Sequence, residues 1–313
     1  MPEVTGMYEL ISRNKRNSWL LVIILVLTIV IIAIVFGYWR GGQQFGAQNA
    51  ITFAIIGILF ASTGALVSYF EGASLIMAVS RARPADPDSE RQLHNLVEEM
   101  TIASGLPKPK LYIIEDSAPN AFACGRNPEN SAIAVTRGLM NKLNREELQG
   151  VIAHEMSHIL SYDILFVTIV TVLVGSIVML CDVFRWMSIF GGGRRRENRR
   201  SGGGQIEAVI AIVALLLMIL APIFAQLIQL AASRQREYLA DANGAKMTRN
   251  PKGLASALRK ISTDTEKLEA ANRGTQHLYI VNPLKGKAAS NKQSLFSTHP
   301  PIEERINRLE EMT

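Results

Sequence analysis

The stretch NREELQGVIAHEMSHIL, residues 144–160, carries the strongest structural signal of the chain. Asn144 belongs to the residue types preferred at a helix N-cap, and Glu147 three positions later completes a variant of the capping box. Glu146 and Glu147 also complement the positive end of a helix dipole. The sequence therefore predicts that a helix begins at this asparagine.

Within this helix, residues 154–158 form the pattern HExxH. Side chains four residues apart share a helix face, so His154 and His158 can bind one metal ion, while Glu155 can reach a water on that ion. With 5 His and 27 acidic residues in 313, chance would produce the pattern roughly 0.007 times per chain. The competing interpretation is that two histidines on one face make ordinary hydrogen bonds.

A catalytic zinc site needs a third protein ligand and an open fourth position. The stretch RQREYLADANGA, residues 234–245, continues as a helix and offers Glu237 with Asp241 one turn later. Glu237 would complete a His/His/Glu site, and Asp241 is placed to accept a hydrogen bond from a ligand imidazole. Taken alone, such an ExxxD pair is more often a solvated helix face. His94 and His277 lie in polar stretches and are interpreted as surface residues.

Four apolar runs hold no charged residue, and they cover residues 19–36, 50–70, 164–181 and 208–230. Each is long enough to cross, or nearly cross, a hydrocarbon core of about 30 Å as a helix. They explain why charged residues make up only 19% of the chain. We predict four membrane-embedded helices, with a buried helix hairpin in a soluble core as the alternative for the third run.

The runs predict a mainly α membrane protein, and they divide the chain into three parts. An N-terminal anchor with two transmembrane helices spans 1–81, and a membrane hairpin spans 164–231. The polar segments 82–163 and 232–313 form one domain, because the hairpin between them returns the chain to the side from which it left. Short strands are predicted at 111–114, 120–125 and 131–136, around a turn at 126–130.

Cations beside the runs predict orientation. Arg13 and Arg16 precede the first run and Arg81 follows the second, so the N-terminus and the polar domain face the cytosol by the positive-inside rule. The Gly/Arg linker 191–204 carries five Arg on the side that strict alternation places outside. Either the second hairpin does not fully cross, or the earlier helices dominate orientation. Without interleaved aromatics the linker, like the net charge of +6, favours lipid topology over nucleic acid.

The order of these elements resembles the membrane zinc metalloproteases of the HtpX type, distant relatives of the CAAX prenyl proteases. The resemblance covers most of the chain. It is carried by the two N-terminal membrane helices, the NAFACG motif at 120–125, the HExxH with Asp163 five residues later, the membrane hairpin, the REYLAD motif at 236–241, and HPP at 299–301 with Arg305. Cys124 stands where the family often has Thr, which adds an oxidisable thiol.

The resemblance implies a zincin-like α+β metalloprotease domain with a small sheet. It implies that His154, His158 and Glu237 bind Zn²⁺, that Glu155 is the catalytic base, and that Asp241 is the acid of the family's ExxxD pattern.

Three further residues are candidates for substrate or transition-state contact. In zincin-like folds the sheet edge above the metal binds the substrate as an added strand, so the resemblance makes Asn120 a candidate for peptide contact, although Asn120 could equally stabilise a turn after Pro119. His299 and Arg305 match the family's C-terminal motif, and His299 is a candidate oxyanion donor. The same residues also read as an ordinary helix start with proline in its first turn.

The implied function is zinc-dependent hydrolysis of peptide bonds in misfolded or damaged membrane proteins, by a multi-pass protein of the prokaryotic inner membrane with its site facing the cytosol. The expected partners are protein or peptide substrates and the lipid bilayer, and not nucleic acid. The alternative is a membrane zinc-binding scaffold or transporter. A structural zinc site would favour four ligands, often Cys, and neither Cys124 nor Cys181 is near the motif. The sequence leaves substrate specificity and oligomeric state open.

Overall fold

A computed structural model of the chain describes residues 7–172, 234–271, 275, 278–281 and 300–312. The described part is mostly helical and contains one small mixed sheet. Its helices are α1 (Met7–Val79), α2 (Arg91–Ser104), α3 (Arg137–Lys142), α4 (Arg145–Leu160), α5 (Asp163–Val172), α6 (Arg234–Thr248), α7 (Pro251–Thr263) and α8 (Ile302–Glu310). Its strands are β1 (Ala82–Pro84), β2 (Lys110–Ile114), β3 (Ala121–Gly125) and β4 (Ser131–Thr136).

Helix α1 folds back on itself as a hairpin. A straight helix would separate Trp19 from Tyr69 by about 75 Å, yet their ring centroids lie 5.8 Å apart. Near the connection, a Cβ at Gly37 would meet the Asn49 carbonyl oxygen at 2.7 Å. Glycine therefore permits the close approach of the two arms.

The arms of α1 contain two stretches long and apolar enough to cross a membrane, Ile11–Val35 and Phe45–Val79. Only 13% and 11% of their most apolar windows are buried in the protein, as expected for side chains that face lipid. Helices long and apolar enough to be the first two predicted spans are thus present, and both helical arms extend beyond the apolar runs. The third run is described only as far as Val172, within α5, and the run 208–230 and the linker 191–204 lie outside the described residues.

The sheet has the order β1-β2-β4-β3, in which β2 and β4 are parallel and the other pairs are antiparallel. Three of its strands match the three predicted strands to within one residue. The three-residue strand β1 was not predicted, because it is too short to show an alternating pattern. Strand β3 pairs only with β4 and so lies at the edge of the sheet.

Helix α4 forms the centre of the polar domain and packs against α2, α6, α7 and β3. Its start is the predicted capping box: the Asn144 side chain accepts from the Glu147 N–H at 2.9 Å, and the Glu147 carboxylate accepts from the Asn144 N–H at 2.8 Å. A Cβ at Gly150 would lie 2.8 Å from the Leu254 nitrogen, so glycine brings α4 and α7 unusually close. Elements from both polar segments of the sequence therefore meet around α4.

The thiol of Cys124 lies inside the sheet and is fully buried. Burial raises its pKa to about 12. The Cys124 side chain therefore contributes to core packing. Its burial keeps the thiol, which the sequence marks as oxidisable, away from solvent.

Candidate metal centre

Three possible metal-ligating side chains converge between α4 and α6. The Nε2 atoms of His154 and His158 lie 3.2 Å apart, and Glu237 places carboxylate oxygens 3.8 Å from the first and 3.6 Å from the second. A tetrahedral ion with bonds near 2.1 Å separates its ligand atoms by roughly 3.4 Å. The three donors therefore fit a zinc-sized ion. No fourth His, Cys, Asp or Glu joins them within the described parts of the chain.

The other ring nitrogen of each histidine meets a carboxylate. His154 Nδ1 lies 2.9 Å from Asp241 Oδ1, and His158 Nδ1 lies 3.1 Å from Asp163 Oδ2. A carboxylate can only accept, so each Nδ1 carries the proton and each Nε2 can present its lone pair to a metal ion. This tautomer is the one that a two-histidine metal site requires.

Close packing of α6 on α4 produces this geometry. A Cβ at Gly244 would lie 3.1 Å from the backbone nitrogen of His154, so a larger residue would push the helices apart. Asp241 precedes that glycine by one turn and Glu237 by two, which places both carboxylates on the face toward the histidines. The i, i+4 spacing of Glu237 and Asp241 thus places one carboxylate near each ring nitrogen of His154.

Helix α8 contributes a buried arginine. Arg305 has 0% relative exposure, and its guanidinium pairs with Asp241 at 2.7 Å and lies 3.4 Å from a Glu237 oxygen. Its Nη2 also lies 3.4 Å from His154 Nε2. Burial alone would lower the pKa of Arg305, but Asp241 and Glu237 outweigh burial and raise it. The guanidinium therefore stays charged beside the ligand set.

Glu155, on α4, is buried and faces the edge strand β3. Burial raises its pKa to about 7, with an opposing effect from His158 and a reinforcing one from Glu237. Its carboxylate also accepts a hydrogen bond from the Ala123 N–H on β3. A carboxyl group with a pKa near neutrality can accept and release a proton at physiological pH, as a general base must.

The structure places Asn120 against the chain's own backbone. Its Nδ2 donates to the Val281 carbonyl at 2.9 Å, and the Ile280 N–H donates to the Ala121 carbonyl at 3.2 Å. Residues 280–281 thus cover one end of the outer edge of β3. At the other end, the Gly125 N–H donates to Thr168 at 2.9 Å.

Two of the histidines considered from the sequence cannot be placed relative to the metal centre. His299 and His277 both fall outside the described residues. His94 is half-buried, with Nε2 3.1 Å from the Ala85 carbonyl oxygen, so the surface interpretation missed its backbone contact. Sequence reasoning also missed Asn14 as a contact of Asp163, because a single amide before an apolar run carries no pattern.

Comparisons with known proteins identify the family to which the chain belongs. Residues 87–313 match the model of peptidase family M48. The chain is 43% identical over 310 residues to a protease HtpX homolog of Caldanaerobacter subterraneus subsp. tengcongensis, covering 98% of each chain. It is 45% identical over 313 residues to one of Listeria monocytogenes serotype 4b, covering 98% of this chain and 100% of the relative.

A protease HtpX homolog of Dictyoglomus turgidum is 44% identical over 307 residues, with 97% of this chain and 94% of the relative covered. Among solved structures, the crystal structure of S. mikatae Ste24p matches with a TM-score of 0.45 and 19% identity, over 94% of this chain and 66% of that one. Because the family model covers well over half of the chain and the three protease HtpX homologs align along nearly their whole length, the chain belongs to peptidase family M48 and is a metallopeptidase of the membrane.

Proposed function

We propose that the protein is a zinc-dependent endopeptidase in which His154, His158 and Glu237 bind the ion and Glu155 is the general base. The observation that supports this assignment is the set of three donors 3.2 to 3.8 Å apart, two of them buried and His158 half-buried, with each imidazole held by its own carboxylate. When bound, zinc supplies Lewis-acid chemistry, which lowers the pKa of a water and polarises a carbonyl group.

The protein's own groups move the protons and hold the charges. Glu155 accepts a proton from the attacking water at its carboxylate and returns it to the leaving amine. The Ala123 N–H orients that carboxylate. Arg305 holds Asp241 against His154 and so keeps the first imidazole in place. Its positive charge also offsets part of the negative charge of the neighbouring carboxylates.

The substrate would bind as an extended peptide along the outer edge of β3. Strand β3 is an edge strand, and its middle residue, Ala123, contacts Glu155. A peptide added to this edge would pass directly beside the proposed base. To pair with Ala121 as well, it would have to displace residues 280–281, so the freely approachable part of the edge is short.

The proposed substrates are misfolded or damaged membrane proteins of a prokaryotic inner membrane, cut at its cytosolic face. Two features support this location: the lipid-exposed arms of α1, and the cations that precede and follow the two apolar runs in α1. The polar domain follows directly on the second arm, which keeps the site close to the bilayer.

The test is proteolysis of an unfolded protein by the full chain in detergent. We expect cleavage that a chelator stops and zinc restores. Glu155→Gln should abolish turnover while one zinc per chain is retained, and His154→Ala should lose the zinc. His94→Ala, which removes a histidine outside the centre, is the matched control and should keep both metal and activity. Cleavage by Glu155→Gln at the wild-type rate would disprove the proposed base, and tight zinc binding by His154→Ala would disprove the ligand set.

A further inference from the structure

The first membrane helix reaches the metal centre through one amide. Asn14 lies in the N-terminal part of the candidate span Ile11–Val35, before the apolar run 19–36, and its side chain is buried against the polar domain. Its Nδ2 donates to Asp163 Oδ1 at 2.7 Å and to the Ser161 carbonyl at 2.9 Å. Both amide hydrogens are therefore used, and both bonds join residues nearly 150 positions apart in sequence.

Asp163 is the carboxylate that holds the outer nitrogen of His158. Its Oδ2 meets His158 Nδ1 at 3.1 Å and the Ser161 hydroxyl at 2.8 Å. Its Oδ1 meets Asn14 at 2.7 Å and the Arg236 guanidinium at 3.4 Å. Asn14 thus makes the shortest contact to the oxygen that does not face the histidine. A bond there fixes the rotation of the carboxylate, and with it the direction of the His158 ring.

The position of Asp163 in the chain explains why it needs such support. It begins α5, which turns by 88° from α4. At this bend Tyr162 adopts a left-handed φ of 59°, and the last carbonyls of α4 lack donors from their own helix. Asn14 donates to the carbonyl of Ser161, the C-cap residue that follows α4. The same amide therefore closes the bend and orients the carboxylate that follows it.

We propose that Asn14 is a positioning residue for metal binding: by holding Asp163, the first membrane helix sets the orientation of His158. The proposal rests on the proposed role of His158 as a metal ligand. The N-terminal arm is then part of the metal centre as well as an anchor. Because Asn14 does not itself contact the ion, a substitution of Asn14 is expected to change the affinity for the ion and the geometry of its ligands.

The test measures metal retention in the full-length protein in detergent. Asn14→Leu keeps the branched shape and removes both hydrogen bonds. Outer partners of ligating histidines typically change metal affinity by 10–100-fold, so we expect Asp163→Asn to release zinc to a chelator faster within that range, and Asn14→Leu about tenfold faster. The cobalt-loaded Asn14→Leu protein should show shifted visible absorption bands, which report ligand geometry. Ser18→Ala, one turn along the same buried face, is the matched control and should match wild type in both measurements.

A double substitution separates positioning from general damage. If Asn14 acts through Asp163, the Asn14→Leu/Asp163→Asn protein should release zinc no faster than Asp163→Asn alone, because coupled residues are not additive. Full additivity, or wild-type release and spectrum for Asn14→Leu, would overturn the proposal. If Asn14→Leu does not fold, Asn14→Ser replaces it in every measurement.

The proposed function is tested separately by His158→Ala. Zinc bound as tightly by His158→Ala as by wild type would refute the ligand set. Loss of zinc from His158→Ala with no effect of Asn14→Leu would refute only the role of Asn14.

Discussion

The guanidinium of Arg305 and the carboxylate of Asp241 form a two-point ion pair, with Nε 2.8 Å from Oδ2 and Nη2 2.7 Å from Oδ1. Both side chains are almost fully buried. Asp241 also contacts His154 Nδ1 at 2.9 Å. A residue near the C-terminal end of the sequence therefore compensates the charge of the carboxylate that orients a proposed metal ligand.

Replacing Arg305 by Met should destabilise the protein strongly. The change leaves Asp241 buried without its cation, and breaking a buried ion pair on one side costs about 3–5 kcal/mol. Arg308→Met is the control, because its half-exposed pair with Glu304 is expected to contribute at most about 1 kcal/mol. Chemical denaturation in detergent measures both. Equal stabilities of the two variants would show that the buried pair contributes little.

The protein stripped of metal should lose stability as pH rises from about 4.5 to 7. Burial raises the pKa of Glu155 to about 7 from the usual 4.5, so its favourable protonated form is lost as pH rises through that window. Glu155→Gln cannot ionise. Its stability advantage over wild type should therefore grow by about 1.4 kcal/mol per pH unit between these limits and stay constant above pH 7. A difference that does not change with pH would contradict this expectation.

Zinc affinity should rise with pH up to about 9. Burial lowers the pKa of His158, but Asp163 and Glu237 raise it more, to about 9. A protonated imidazole cannot bind a metal ion, so binding below this pH must release a proton and affinity should change by about tenfold per unit. Competition with a zinc-sensitive dye at several pH values measures the slope. In Asp163→Asn the slope should end at a lower pH, since the main group raising the pKa has lost its charge.

Asn144→Ala should lower stability by about 1 kcal/mol, because it removes the N-cap bond of α4. The proposed metal ligands on α4 lie more than two turns further along, so the zinc content should not change. Asn95→Ala, at an exposed position of α2, controls for loss of an asparagine. Unfolding midpoints and metal analysis give the two readouts. A stability equal to that of Asn95→Ala would mean that the capping box contributes nothing measurable.

Sequence reasoning predicted the parts of the structure that depend on local chemistry. The start of α4 follows from a cap four residues long, and the shared face of His154 and His158 follows from helix geometry. The strands β2, β3 and β4 follow from short β-branched and apolar stretches between turns. Each of these signals is contained within a few consecutive residues.

Long-range contacts set the features that sequence reasoning missed or left open. The Asn14 amide finds Asp163 only because α1 packs beside the bend after α4. Arg305 reads equally as part of an amphipathic helix, and only the packing of α8 shows that its side chain points inward. The sequence leaves open whether Asn120 contacts a substrate or stabilises a turn, and in the structure its side chain donates to the Val281 carbonyl. In each case the partner is 64 or more positions away.

The contribution of Arg305 from α8 has a consequence for biosynthesis. Ribosomes synthesise proteins from the N-terminus, so α1 can enter the membrane and α4 can form before α8 exists. Until α8 docks, Asp241 lacks its buried cation and cannot hold His154 firmly. This ion pair can therefore form only after α8 has been synthesised, so the proposed metal ligand His154 gains its full support later than the arms of α1 are made.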